Sequence, residues 1–286
     1  MSDSGIRALA NGAGGAAIYG DGSDGDVTNS SPLTLTRDMF YDTLLNTSTI
    51  DTAGFVIFVR NKLTNSGTIR SNGANGGDGS AGVGGTGGLG GGTGSVGGGG
   101  NGGNGRGQVG AGFDGDDTAP AFGGDGGKGG DAEGQLGGAA GDASAPAAAK
   151  GGFKASPFSA ILKEIETTVA KISGGGGGGG GAGKFTPQSG GGGGGGGGGD
   201  VVIFAYELDN AGGTIESNGG DGGTTSAVTS SGGGGGGGGG FLVFIYDKAS
   251  WGTETVTPGI GGLGVSAGDD GANGVAGTIL KLSNKV

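Results

Sequence analysis

The chain has 286 residues, of which 88 are glycine and six are proline, and its formal net charge is −11. The low proline content excludes a collagen triple helix, and the acidity argues against nucleic acid and anionic membrane surfaces, which need clustered Lys and Arg. With neither cysteine nor histidine, disulfide scaffolds, Cys/His zinc sites, thiol nucleophiles and imidazole bases are excluded as well.

The opening MSDSGIRALANG lacks a basic start followed by an apolar core, and no apolar run reaches membrane-spanning length, so neither a signal peptide nor a membrane span is expected. From Pro32, PLTLTRDMFYDTLLNTSTIDTAG is Thr-rich with apolar residues at short intervals. It predicts short β-solenoid rungs or a small attachment sheet. FVIFVRNKLTNSGTIRSNGANGGDG from Phe55 and VVIFAYELDNAGGTIESNGGDGG from Val201 are copies of one unit. In both, fourteen positions separate the first apolar residue from the Ile of GTI. FLVFIYDKASWGTETVTPG from Phe241 is a looser third copy. Each copy predicts a strand apolar on both faces, a turn, a short second strand and an exit into glycine. GTILKL from Gly277 predicts a last strand.

Residues 73–155 are mixed, with a local three-residue beat in GGTGGLGGG from Gly84 and GGDGGKGGD from Gly123. SPFSAILKEIETTVAKIS predicts an amphipathic helix over 156–173. Ser156 is its N-cap, Pro157 its first residue, and Phe158, Ile161, Leu162, Ile165, Val169 and Ile172 share a face. Glu164 and Glu166, near Lys163 and Lys171, read as the solvated face of that helix.

The pure glycine runs at 174–181, 190–199 and 232–240 are eight, ten and nine residues long. Composition alone favours disorder. The matched lengths, the purity and the direct entry into strands predict ordered polyglycine-II helices instead, three residues per turn with a rise of about 3.1 Å. Ordering each glycine costs about 1 to 2 kcal/mol with no side chain buried in return, so such helices must pack side by side through backbone bonds. Gly195 is expected inside that packing and Gly183 in a loop. The expected fold class is mainly β with bundled polyglycine-II (PPII-type) helices, a short β-strand or β-solenoid attachment region and one amphipathic α-helix. The expected parts are a β-rich attachment region (1–72), a mixed glycine-rich region (73–155), the amphipathic helix (156–173) and a polyglycine-II bundle with interleaved strands (174–286).

Little here points to catalysis. GGGGGAGKF resembles a phosphate loop, but Phe185 replaces the hydroxyl that must hold magnesium. DGSDGD from Asp21 and DGDD from Asp114 offer oxygen ligands, yet neither fits a twelve-residue calcium loop. Solvated loops explain them, with Asp114, Asp116 and Asp117 as weak metal candidates. No nucleophile pairs with a base, so neither enzymatic activity nor a cofactor is expected. Trp251 reads as a core or interface plug.

The polyglycine runs of similar length, separated by short variable loops and tied to a small β-rich region, resemble the glycine-rich tip adhesins of tailed-phage tail fibres. LTLTRDMFYDTLLNTSTIDTAGFVIFVRNKLTNSGTI is also similar to an N-terminal block of glycine-rich phage virion proteins. The resemblance implies a non-enzymatic virion structural protein assembled in the host cytoplasm, with other virion proteins as partners. It implies a homotrimer that recognises a host outer-surface protein or glycan through loops at the distal end. The matching loops are AGKFTPQS from Ala182, GGTTSAVTSS from Gly222 and AGFDGDDTAPAFG from Ala111. They make Lys184, Phe185, Thr186, Gln188, Thr224, Thr225, Val228 and Phe113 the candidate receptor contacts. Capsid decoration or attachment at a head vertex is the alternative; ice binding is a remote one. Neither nucleic acid nor membrane insertion is expected.

Overall fold

A computed structural model describes residues 18–92, 94–96, 98–107, 110–116, 126–141, 175–184, 188–227 and 229–284. One unit recurs along it, a longer strand, a tight turn and a shorter strand. The pairs are β1 (Gly25–Asn29) with β2 (Leu33–Thr34), β3 (Met39–Asn46) with β4 (Thr49–Asp51) and β5 (Ile57–Asn65) with β6 (Thr68–Arg70). They continue with β7 (Asp200–Asp209) and β8 (Thr214–Glu216), then β9 (Phe241–Ser250) and β10 (Thr253–Thr255); β11 (Thr278–Ser283) follows. The odd-numbered strands form a six-stranded sheet in the order β1-β3-β5-β7-β9-β11. The even-numbered ones form a five-stranded sheet in the order β10-β8-β6-β4-β2. Every pairing is parallel.

This corrects the expected fold class. The β portion is two stacked parallel sheets of eleven strands drawn from both ends of the chain, not a short attachment region, and no helix occurs among the described residues. The amphipathic helix predicted over 156–173 lies outside those residues. The physical reason is the crossover. Parallel neighbours need a long connection, usually a helix, and here glycine segments make it: β8 leads into 218–225, which returns through 232–240 to β9.

Repetition sets the packing. Because the copies stack in register, Ile57 lies beside Ile203 and Ile69 beside Ile215. Ile50, Ile57, Leu63, Ile69, Ile203, Leu208, Ile215 and Phe244 fill the space between the two sheets. The opposite face of the long-strand sheet carries a ladder of rings. Phe40, Phe58 and Phe204 stack at centroid distances of 4.8 and 4.9 Å. Trp251 closes one end of the inter-sheet core, edge-on to Phe244 and Tyr246, with the Lys281 ammonium 3.7 Å from its ring centre.

A second ladder runs through the turns that end the long strands. Asn29 Nδ2 donates to Asn46 Oδ1 (2.8 Å), Asn46 Nδ2 to Asn65 Oδ1 (2.8 Å) and Asn65 Nδ2 to Asn210 Oδ1 (2.7 Å). The third copy has no asparagine there, and Glu254 ends the series by accepting from Asn210 Nδ2 at 2.8 Å while Lys281 pairs with its other oxygen. These side chains sit inside the stack, so each bond also spares a buried polar group from going unpaired.

The glycine segments obey one rule. Along 190–199, successive amides donate to different neighbours and the rotation repeats every third residue. Gly191, Gly194 and Gly197 donate to Arg106, Gly103 and Gly100; Gly192, Gly195 and Gly198 to Gly232, Gly235 and Gly238; Gly193, Gly196 and Gly199 to Gly77, Ala74 and Ser71. The other sides are closed by amides donated to it from 85–91, 175–181 and 220–223. The 175–183 and 232–240 segments are enclosed in the same manner. A Cβ on any of the three faces of 190–199 would strike backbone: at Gly191 the Gly181 oxygen at 2.1 Å, at Gly192 the Gly223 oxygen at 1.9 Å and at Gly193 the Thr86 oxygen at 2.0 Å. The three pure runs are therefore the interior segments. Outer segments keep glycine at two positions in three and turn the third to solvent, as with Val83, Thr86 and Leu89.

Those outward positions hold a second function of the sequence. Where an outer segment leaves an amide pointing sideways, an Asn or Asp on its neighbour accepts it. Gly87 and Gly90 donate to Asn104 and Asn101, Thr257 and Ile260 to Asn218 and Asp221, and Gly261 and Gly264 to Asn273 and Asp270. The three-residue spacing of Asn72, Asn75 and Asp78 follows from this need, since buried or half-buried amides must find an acceptor.

Candidate functional site

The strands lie at one end of the glycine segments and turns such as Ser80–Val83 and Ala132–Gln135 at the other, while the turn around Val96 packs at the strand end, where Gly94 N and Val96 N donate to Ala53 O and Gly54 O. Gly199 and Gly240 run directly into β7 and β9, whereas Gly190 and Gly232 begin at the turn end. There the turns are tied to each other. Gly82 N donates to Ser189 O (2.9 Å), Gly110 and Gly183 exchange bonds of 3.3 Å, and Val265 N donates to Ser231 O (3.0 Å). Ser189 Oγ lies 2.5 Å from Lys184 O and 3.1 Å from Gly107 O. The turn end is thus a held surface, and among the described residues it carries the predicted contacts Lys184, Gln188, Thr224 and Thr225.

Lys184 is half-buried, and its ammonium pairs with the exposed carboxylate of Glu133. Gln188 is exposed beside it in the same connection. Phe113 is half exposed, on the segment next to 99–107, and the Arg106 guanidinium sits over its ring at 5.2 Å. Thr224 is exposed, with its hydroxyl 3.1 Å and its amide 2.9 Å from Asp78 Oδ1. Thr225 differs. It is buried, and its hydroxyl donates to Gly190 O at 2.7 Å, so it fastens the turn to the interior segment and offers nothing to a partner. Phe185, Thr186 and Val228 lie outside the described residues.

Sequence reasoning missed Arg106, Glu133 and the exposed apolar side chains Val83, Leu136 and Leu263 on neighbouring outer segments. The signal was available, since a non-glycine at every third position marks the solvent side. The expected loop at Gly183 is corrected too: a Cβ there would meet Gly107 O at 2.3 Å, because the residue is pinned between neighbours.

The weak metal candidates are engaged elsewhere. Asp114 Oδ1 accepts the Ala139 amide (2.7 Å) and Asp116 Oδ2 accepts Asn101 Nδ2 (3.0 Å); Asp117 lies outside the described residues. Among those residues no group of three or more Asp, Glu, His or Cys is placed to hold a metal ion. A shallow cavity of about 120 Å³ opens between Lys128–Asp131 and Asp269–Ala272. Within it the Lys128 ammonium, followed by the Gly137 amide, holds the Asp131 carboxyl below the usual carboxylate range.

One carboxyl stands apart. Asp200, at the junction of 190–199 with β7, is fully buried and neither oxygen has a hydrogen-bond partner. Burial alone raises its pKa well above the ordinary value. The unfolded chain then releases this proton near pH 4 while the folded chain keeps it, so stability falls as pH rises from about 4 toward the folded pKa. Asp200→Asn is expected to remove that fall. Its denaturation midpoint should match the parent near pH 4 and exceed it near pH 8; midpoint curves that stay parallel across this range would refute the assignment.

Compared with known proteins, the chain matches no family model, no curated protein and no solved structure. Among the described residues no helix is long and apolar enough to cross a membrane.

Proposed function

We propose that the chain is a non-enzymatic structural protein of a tailed-phage virion, a tail-fibre or tip adhesin whose glycine array holds recognition side chains against the host surface. The observation that supports this reading is the gathering of turns at the end opposite the strands, with Lys184, Gln188 and Thr224 presented there from a backbone fastened by cross-bonds and Phe113 exposed on the outer segment that begins at Gly110. An interior glycine segment shows a partner only backbone already bonded to neighbours. Discrimination therefore belongs to the turns, which carry side chains on a rigid support. In this proposal other virion proteins dock on the β end, assembly takes place in the host cytoplasm as a homotrimer, and an outer-surface protein or glycan of the host meets the turns.

The test replaces Phe113, Lys184, Gln188 and Thr224 together with serine. Thr225 and Ser189 are left in place because they fasten the turns. Folding and virion incorporation should be unchanged, while adsorption to host cells falls at least about tenfold, as expected when the anchors of an interface are removed. Normal adsorption by the variant virus would overturn the adhesin reading and leave decoration of the head as the better one.

A further inference from the structure

Six Asn–Gly pairs stand on the outer glycine segments among the described residues, beginning at Asn72, Asn75, Asn101, Asn104, Asn218 and Asn273. Such a pair carries its own chemistry. The glycine nitrogen can attack the asparagine side-chain carbon Cγ, the attacking N–H loses its proton, and the Cγ–N bond breaks to release ammonia. Water then opens the resulting succinimide at either carbonyl, giving aspartate or isoaspartate. Glycine at the second position removes the side chain that would otherwise hinder the attack.

In this fold both reacting groups are tied down. The attacking amides are already donors: Gly76 N to Asp221 O (2.8 Å), Gly102 N to Gly88 O (2.8 Å), Gly105 N to Gly85 O (2.8 Å), Gly219 N to Thr257 O (2.9 Å), Gly73 N to Asn218 O (2.9 Å) and Gly274 N to Gly259 O (3.1 Å). The side-chain carbonyls are also held, each accepting an amide of a neighbouring segment. Asn75 Oδ1 takes Asp221 N (2.9 Å), Asn104 Oδ1 takes Gly87 N (2.7 Å) and Asn273 Oδ1 takes Gly261 N (2.8 Å). At each pair nucleophile and electrophile are thus bonded to one and the same neighbouring segment, the Gly76 amide and the Asn75 carbonyl both to Asp221, and that segment holds the two groups in place.

We infer that these pairs are deamidation sites which the glycine array holds inactive, so that a segment lost from the array is retired by chemistry. The two products differ in consequence. Aspartate keeps the acceptor oxygen, and Asp78, Asp221 and Asp270 already do this work at equivalent places. Isoaspartate inserts one methylene into the backbone. The hydrogen-bond rotation repeats every third residue, so the insertion puts all later amides of that segment out of step with their acceptors, and the segment cannot re-enter.

The experiment incubates the intact protein near pH 8 with and without guanidinium and follows each site by peptide mapping with mass spectrometry. Deamidation of the folded protein is expected to be slower by at least about tenfold at every one of the six sites, since reaction must wait for local opening. Slowing of less than tenfold at any of them overturns the inference. Asn75→Asp provides the second arm. It should fold with an unchanged denaturation midpoint, and a lowered midpoint would overturn the claim that isoaspartate alone is excluded.

Discussion

Replacing Gly195 with alanine is expected to cost more than about 3 kcal/mol, beyond the usual range for an overfilled core. The added Cβ would lie 1.9 Å from Gly220 O, and a backbone oxygen cannot turn aside as a side chain can. Its segment cannot shift as a body either, because Gly220 N is bonded to Gly196 O, Gly195 N to Gly235 O and Gly178 N to Gly195 O. Against a total stability of about 5 to 15 kcal/mol, the loss is large. It should appear as a lowered denaturation midpoint and as faster hydrogen exchange along 190–199. Gly212→Ala is the control. There the nearest atom to the new Cβ is Ser66 Oγ at 3.7 Å, and a change within about 0.5 kcal/mol is expected. Equal effects at the two positions would sink the close-packed account of the pure runs.

Asn65→Leu should come next in size. The side chain is buried, donates to Asn210 Oδ1 and accepts from Asn46 Nδ2. Leucine strands both partners within the stack. At about 1 to 3 kcal/mol for each buried group left short of a bond, the loss is about 2 to 6 kcal/mol. Urea unfolding measures it. A loss below about 1 kcal/mol would mean that water enters the turn and the ladder carries no weight. Asn46 and Asn65 should also couple in a double-mutant cycle, because each is the other's partner.

Adsorption reads exposed side chains at and beside the turns, whereas deamidation reads backbone amides along the outer segments. Adsorption could fail with the six Asn–Gly pairs still protected, and the reverse outcome is equally open to measurement.

Much of the local structure was legible in the sequence. The equal spacing from Phe55 to Ile69 and from Val201 to Ile215 marked two copies of one strand-turn-strand unit, and the copies lie side by side, in register but for a bulge between Val59 and Lys62. The unbroken apolar runs in the first halves of β7 and β9 signalled burial on both faces there. These features follow from short-range rules, alternation and turn chemistry, that act within a dozen residues.

What only the tertiary structure decided is partnership. Nothing local in MFYDTLLN says that β3 will pair with β1 and β5, or that Asn46 will take its place between Asn29 and Asn65. The sequence by itself determined where glycine is obligatory, because a run without a single Cβ has no side that tolerates one. Which runs sit inside, why Asn and Asp recur on the outer ones, and why Thr225 is buried while Thr224 is exposed were settled by neighbours distant in the chain. Glycine has no side chain through which to name its partner. Its position is fixed by backbone amides that must each find an acceptor, and that requirement is met only when all the segments are assembled together.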